Sequence, residues 1–152
     1  MKIGVGADHR GYKLKSIVIK LLSKKGYSVV DYGTDSEAST DYPHYAIQVA
    51  RDVAAKKLRF GILLCFSGQG MAIAANKVKG IRAAVCNDPA IAKVARAHNN
   101  ANVLVISAGF VKPGKKLHSI IDVFLSTKFE GGRHLRRLNL IKTYENSHSQ
   151  NP

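Results

Sequence analysis

The stretch Phe60-Gly61-Ile62-Leu63-Leu64-Cys65-Phe66-Ser67-Gly68-Gln69-Gly70 decides the fold. Phe60 to Leu64 is a continuous apolar run, the pattern of a strand covered on both faces in the middle of a parallel sheet. A glycine-punctuated turn follows, and the small residues from Met71 to Lys77 predict a helix. The same alternation recurs on either side. Lys2 to Ala7 reads as a strand, and Leu14, Ile17, Val18, Leu21 and Leu22 mark one face of an amphipathic helix closed by Gly26. Tyr27 to Asp31 is a second strand, and a polar loop from Gly33 to Pro43 leads into a helix with Ile47, Ala50, Val53 and Ala54 inward. Arg82 to Val85 and Ala101 to Ile106 supply two more strands, separated by a helix over Pro89 to Ala97 with Ile91, Val94 and Ala95 inward. Right-handed crossovers between such units leave one arrangement, an α/β fold in three layers: a doubly wound, five-stranded parallel sheet, Rossmann-like, with helices on both faces. Helices over Gly114 to Ser126 and Arg133 to Glu145 close the chain. Residues 1–145 are expected to be one domain and 146–152 a disordered polar tail.

At 152 residues with 45% hydrophobic and 22% charged side chains, the chain can bury one core and is not expected to be disordered. The N-terminus enters strand-like sequence directly and no apolar run reaches the ~18 residues of a spanning helix, so a cytoplasmic protein with no membrane contact is expected. Cys65 and Cys86 have neither disulfide-framework nor zinc-site spacing, so no structural metal is expected. The 24 basic and 10 acidic residues give a net charge of +14. The excess is spread along the chain, with 7 basic and 5 acidic residues in 1–50, 9 and 2 in 51–100, and 8 and 3 in 101–152. With no basic arm, a solvated surface that attracts small anions is favoured over a nucleic-acid-binding module.

Ligands of open parallel sheets bind beyond the carboxyl ends of the strands. Asp8-His9, the loop Cys65 to Gly70, His98-Asn99, and the opening of the last helix at Gly131 to His134 are assigned to that edge. Ser67-Gly68-Gln69-Gly70 can cradle an anion against a helix N-terminus, or can be a tight turn with no ligand; it matches neither a P-loop nor GxGxxG. Cys65 is either a small core residue or, beside that helix N-terminus, a thiol with a lowered pKa able to act as a base. Cys86 reads as core. Asp8 could orient a histidine or accept a sugar hydroxyl, His9 and His98 titrate near neutrality, and Arg133, Arg136 and Arg137 have the fork geometry for a phosphate. Arg133 and Arg137, four apart, share one side of their helix.

Seven stretches in order carry a resemblance over nearly the whole chain: Asp8-His9-Arg10-Gly11, Thr40 to Ala46, Cys65 to Gly70, Ile73 to Lys77, Gly80 to Ala83, His98 to Leu104 and Phe129 to His134. Together they resemble the type B ribose-5-phosphate isomerases, the family that includes galactose-6-phosphate isomerase subunits. The resemblance implies a metal-free, cofactor-free aldose–ketose isomerase of the pentose phosphate pathway, interconverting D-ribose 5-phosphate and D-ribulose 5-phosphate through a cis-enediolate. It also leaves an alternative, a six-carbon substrate such as allose 6-phosphate or galactose 6-phosphate. It implies Cys65 as the base, with Met71 where another branch carries a glutamate. Ser67 with the amides of Gly68, Gln69 and Gly70 becomes the oxyanion hole, His98 the ring opener and Asp8 the carboxylate at the sugar end. His9, Tyr42, Phe66, Asn99, Arg133 and Arg137 become contacts to sugar or phosphate. A homodimer or homotetramer with the site at the subunit interface follows, the two arginines reaching into the partner's site. The sequence departs from the family at Phe66, before Ser67, and at Ala108-Gly109-Phe110, where relatives place an arginine.

Overall fold

A computed structural model describes residues 1–147. The strands are β1 (Lys2–Ala7), β2 (Ser28–Asp31), β3 (Phe60–Cys65), β4 (Ala83–Val85) and β5 (Val103–Ser107), and the helices are α1 (Tyr12–Lys24), α2 (Tyr42–Ala54), α3 (Gln69–Ala75), α4 (Pro89–Ala97), α5 (Lys115–Ser126) and α6 (Gly132–Ser147). All pairings are parallel, in the order β2-β1-β3-β5-β4. The sheet is the expected doubly wound one, with β3 in its centre and buried at every position.

Because successive side chains of a strand face opposite sides, β3 divides its bulk between two cores. Phe60, Ile62 and Leu64 join Leu14 and Val18 of α1 and Leu117, Ile121 and Phe124 of α5. Leu63 and Cys65 join Val49 of α2 and Met71 and Ala75 of α3. Gly61 sits where α2 presses closest: a Cβ there would lie 2.6 Å from a methyl of Val49. From β1 the chain leaves across the α1 face, and from β3 it leaves across the α3 face. The carboxyl ends of these neighbouring strands therefore open a cleft, the switch point at which such sheets bind ligands.

Three expectations are corrected. In α2 the inward residues are Ala46, Val49, Ala50 and Val53; Ile47 is only partly covered and Ala54 is exposed. In α4, Ile91 and Val94 point outward, 54% and 45% exposed, while Ala92, Ala95 and Arg96 face inward. The cause is close packing of α4 on α5, which small alanines permit. Arg96 is accommodated because its guanidinium lies over Phe60, 4.9 Å from the ring centre, and donates through Nη1 to Asn100 Oδ1 and the Ala101 carbonyl. The last helix continues through Ser147, two residues beyond its expected end at 145, so Asn146 and Ser147 are helical and not part of a tail; 148–152 lie outside the described residues. No helix among the described residues is long and apolar enough to cross a membrane.

Candidate active site

Asp8 leaves β1 and turns back at once: its Oδ1 accepts from the amides of Arg10 and Gly11 at 2.9 and 3.0 Å. This turn fixes the start of α1 and holds a carboxylate, 6% exposed, over the end of the strand. Gly11 is required because the turn lies against β3, where a Cβ would come 2.3 Å from the Leu64 carbonyl oxygen. His9 is half-buried, and its Nδ1 accepts from the Thr40 amide at 3.2 Å, which leaves Nε2 to carry the proton of the neutral ring.

Cys65 ends β3 directly across from this turn, and its Sγ accepts from the Gly68 amide at 3.2 Å. Gly68, in the left-handed region at φ +81°, brings the loop over the sulfur before α3 begins. Burial pushes the Cys65 thiol above the ordinary thiol range; the amides of Gly68 and Met71 pull it back, the Asp8 charge raises it again and the Ser67 amide lowers it. The expected lowering by the helix N-terminus is therefore present but outweighed by desolvation in the free chain, which corrects the reading of Cys65 as a thiol of lowered pKa. The Ser67 Oγ accepts from the Gln69 amide at 3.4 Å. Gly70 allows the Tyr42 ring to lie on it, since a Cβ would stand 2.6 Å from that ring.

Two groups the sequence reading missed hold this loop in place. Ser107, fully buried at the end of β5, donates through Oγ to the Ser67 carbonyl at 2.6 Å and accepts from Asn87 Nδ2 at 2.8 Å. A serine closing an apolar strand at the carboxyl edge was the available signal, the same one that marks Cys65. Just after Ser107, Gly109 receives the Phe66 ring, which lies 5.7 Å from the Phe110 ring centre and carries the Arg10 guanidinium 4.9 Å from its own.

Asp8, His9, Tyr42, Cys65, Phe66, Ser67, Gly68, Gln69 and Gly70 thus come together, but His98, Asn99, Arg133 and Arg137 do not join them. A helix that follows a parallel strand runs back to the strands' amino ends. His98 caps the far end of α4, and the nearby Asn102 accepts through its carbonyl from the Gly61 amide at the start of β3. Placing His98 and Asn99 at the carboxyl edge was therefore an error of direction. They form a second cluster. His98 and His134 stack in parallel, ring centres 4.2 Å apart and 7° from coplanar, and each Nε2 lies 3.7 Å from Glu130 Oε2. His134 is pushed below the usual histidine range by desolvation and by the charges of His98, Arg133 and Arg137, against the pull of Glu130. Asn99 lines a cavity of about 400 Å³ between the β4 edge and Leu138 and Ile141 of α6. His98, Glu130 and His134 are the one group of potential metal ligands gathered among the described residues. Parallel rings direct their nitrogen lone pairs side by side, and do not converge on a single ion.

The profile described as Ribose/Galactose Isomerase matches residues 3–141. The chain is 46% identical over 145 residues to ribose-5-phosphate isomerase B of Escherichia coli strain K12, covering 95% of this chain and 96% of that protein. Its fold is similar to that of Clostridium thermocellum ribose-5-phosphate isomerase B, with a TM-score of 0.94 and 43% identity over 98% of this chain and 100% of the other. It is also similar to Mycoplasma genitalium ribose-5-phosphate isomerase B, solved with bound ribulose-5-phosphate, with a TM-score of 0.90 and 43% identity over 95% and 96% of the two chains.

Proposed function

Because the chain belongs to the ribose/galactose isomerase family, we propose that it is the aldose–ketose isomerase interconverting D-ribose 5-phosphate and D-ribulose 5-phosphate, with Cys65 as its base. The observation that carries this reading is the Cys65 sulfur at the switch-point cleft with the Gly68 amide donating to it at 3.2 Å. The Cys65 thiolate removes the proton from C2 of the open-chain aldose. The electron pair forms the C1–C2 double bond of a cis-enediolate and the charge moves to O1; the proton of the C2 hydroxyl passes to O1, and return of the proton from Cys65 to C1 leaves the carbonyl at C2 and gives the ketose. Donors already aimed at the growing oxyanion are worth ~3 to 4 kcal/mol each. The loop Ser67 to Gly70, pinned by Ser107, supplies them.

Furanose substrate must first open, which requires an acid at the ring oxygen and a base at the C1 hydroxyl. Asp8 is the base, and His98 of a second copy is the acid. A homodimer in which each carboxyl-edge cleft is completed by the other chain's His98, Asn99, Arg133 and Arg137 reunites the two clusters. The outward Ile91 and Val94 of α4 and Leu140 and Ile141 of α6 supply apolar surface for pairing. Residues 1–145, with Asn146 and Ser147 completing the last helix, serve as one domain of this enzyme. The free thiols Cys65 and Cys86 suit the reducing cytoplasm, where a pentose phosphate pathway operates. A coupled assay of ribulose 5-phosphate formation tests the reading, run beside allose 6-phosphate and galactose 6-phosphate. Turnover of the pentose that survives Cys65→Ala would exclude the sulfur as base, and turnover of a hexose phosphate alone would exclude the pentose.

A further inference from the structure

Arg10 is exposed, yet its position is tightly set. Its amide is held by the Asp8 carboxylate at 2.9 Å, and its guanidinium rests on the face of Phe66, 4.9 Å from the ring centre. Phe66 is backed by Gly109, where a Cβ would be 2.6 Å from the ring, and by the Phe110 ring. Among the described residues Arg10 makes no ion pair. A guanidinium lying on an aromatic face keeps its N–H fork directed outward at the rim, the geometry that receives a phosphate through two parallel hydrogen bonds. Asp8, just after β1, and Cys65, at the end of the neighbouring β3, lie beside it, so this cation stands at the wall of the cleft.

We infer that Arg10, seated on the Phe66–Phe110 platform, is a substrate-binding residue that receives the phosphate of the sugar within its own chain, and that the platform fixes how far this phosphate stands from Cys65. This rests on the isomerase reading for the identity of the sugar, but the anion site itself does not. The platform sets the span between cation and sulfur, which suits one chain length better than another. Phe66 and Phe110 are thereby specificity determinants between five- and six-carbon phosphates.

The test uses the full-length protein, with inorganic phosphate as probe. In Arg10→Met, the inhibition constant for inorganic phosphate and the KM for ribose 5-phosphate are expected to rise at least about tenfold, with a smaller change in kcat. Arg10→Lys, which keeps the charge and loses the fork, is expected to fall between the two. Phe66→Leu is expected to shift the ratio of kcat/KM for ribose 5-phosphate over allose 6-phosphate by about fivefold or more, in the range set by one or two methylene-sized changes of a pocket. A readout free of turnover is the phosphate concentration that half-protects Cys65 from iodoacetamide, which is expected to rise in Arg10→Met as the inhibition constant does. Phosphate protection and inhibition within twofold of the unaltered protein in Arg10→Met would overturn the inference, whether or not the protein isomerises ribose 5-phosphate. An unchanged substrate ratio in Phe66→Leu would overturn the platform's part in specificity.

Discussion

Mixing two inactive variants should restore activity. β3 has six residues, Phe60–Cys65, and five rises of ~3.3 Å set its two ends about 16 Å apart. Cys65 lies at one end and His98 beside the other, whereas proton transfer needs contact at ~3 Å. No side-chain rotation closes that gap, so the two residues serve one substrate only if they come from different chains. The Cys65→Ala and His98→Asn variants should each, alone, lose at least about 100-fold in rate. In a hybrid with two-fold symmetry of pairing, one site collects both replacements and the other collects neither. Equal amounts unfolded together and allowed to re-pair at random yield about half hybrids, each with one intact site of two, so about a quarter of the unaltered rate returns. The assay is ribulose 5-phosphate formation, with the hybrid fraction counted by intact mass of a tagged chain. Hybrids present by mass but no faster than the sum of their parents would refute the division of the site between chains.

Three further outcomes follow from the geometry. Buried Cys86 has its pKa raised from 9.0 to about 12, so the folded state keeps a proton that the unfolded chain releases; stability should be intact below pH 9 and fall by up to about 1.4 kcal/mol per pH unit above it, and urea titrations of the unaltered protein and Cys86→Ala should differ in that slope. Activity should rise with pH on the alkaline side, beyond the ordinary thiol range, because burial holds the Cys65 proton and only the thiolate is a base; a rate flat from pH 7 to 10 would contradict this. Gly11→Ala should destabilise by about 3 kcal/mol or more in urea unfolding, since the added carbon meets a backbone carbonyl at 2.3 Å; a loss within about 0.5 kcal/mol, as for an ordinary surface change, would show that the turn can yield.

The sheet was legible in the sequence because β3 has no polar residue from Phe60 to Leu64, and because every helix that follows a strand carries its own apolar stripe. Cys65 and the glycine loop were legible for the same reason, as the last residue of a buried strand and the turn that follows it. The facing of α4 was not. Ile91 and Val94 are the larger apolar residues, but the close approach of α5 selects Ala92 and Ala95, and a buried arginine has a partner only in three dimensions, here Phe60 and the Ala101 carbonyl. His98 was misplaced because proximity to a loop was taken for proximity to the carboxyl edge, although the direction of α4 sends it to the other. Ser107 and Asn87 act through two hydrogen bonds to each other and one from Ser107 to the loop, a relation with no periodic trace in the sequence.

The stacked imidazoles and the ionisable sulfur sit at opposite rims of the sheet, so under the proposed pairing one molecule of this protein holds halves of two reaction centres and completes neither. On that proposal its specific activity becomes a function of its own concentration, falling on dilution as subunits part, and a cell that makes little of it has less catalysis per molecule as well as fewer molecules.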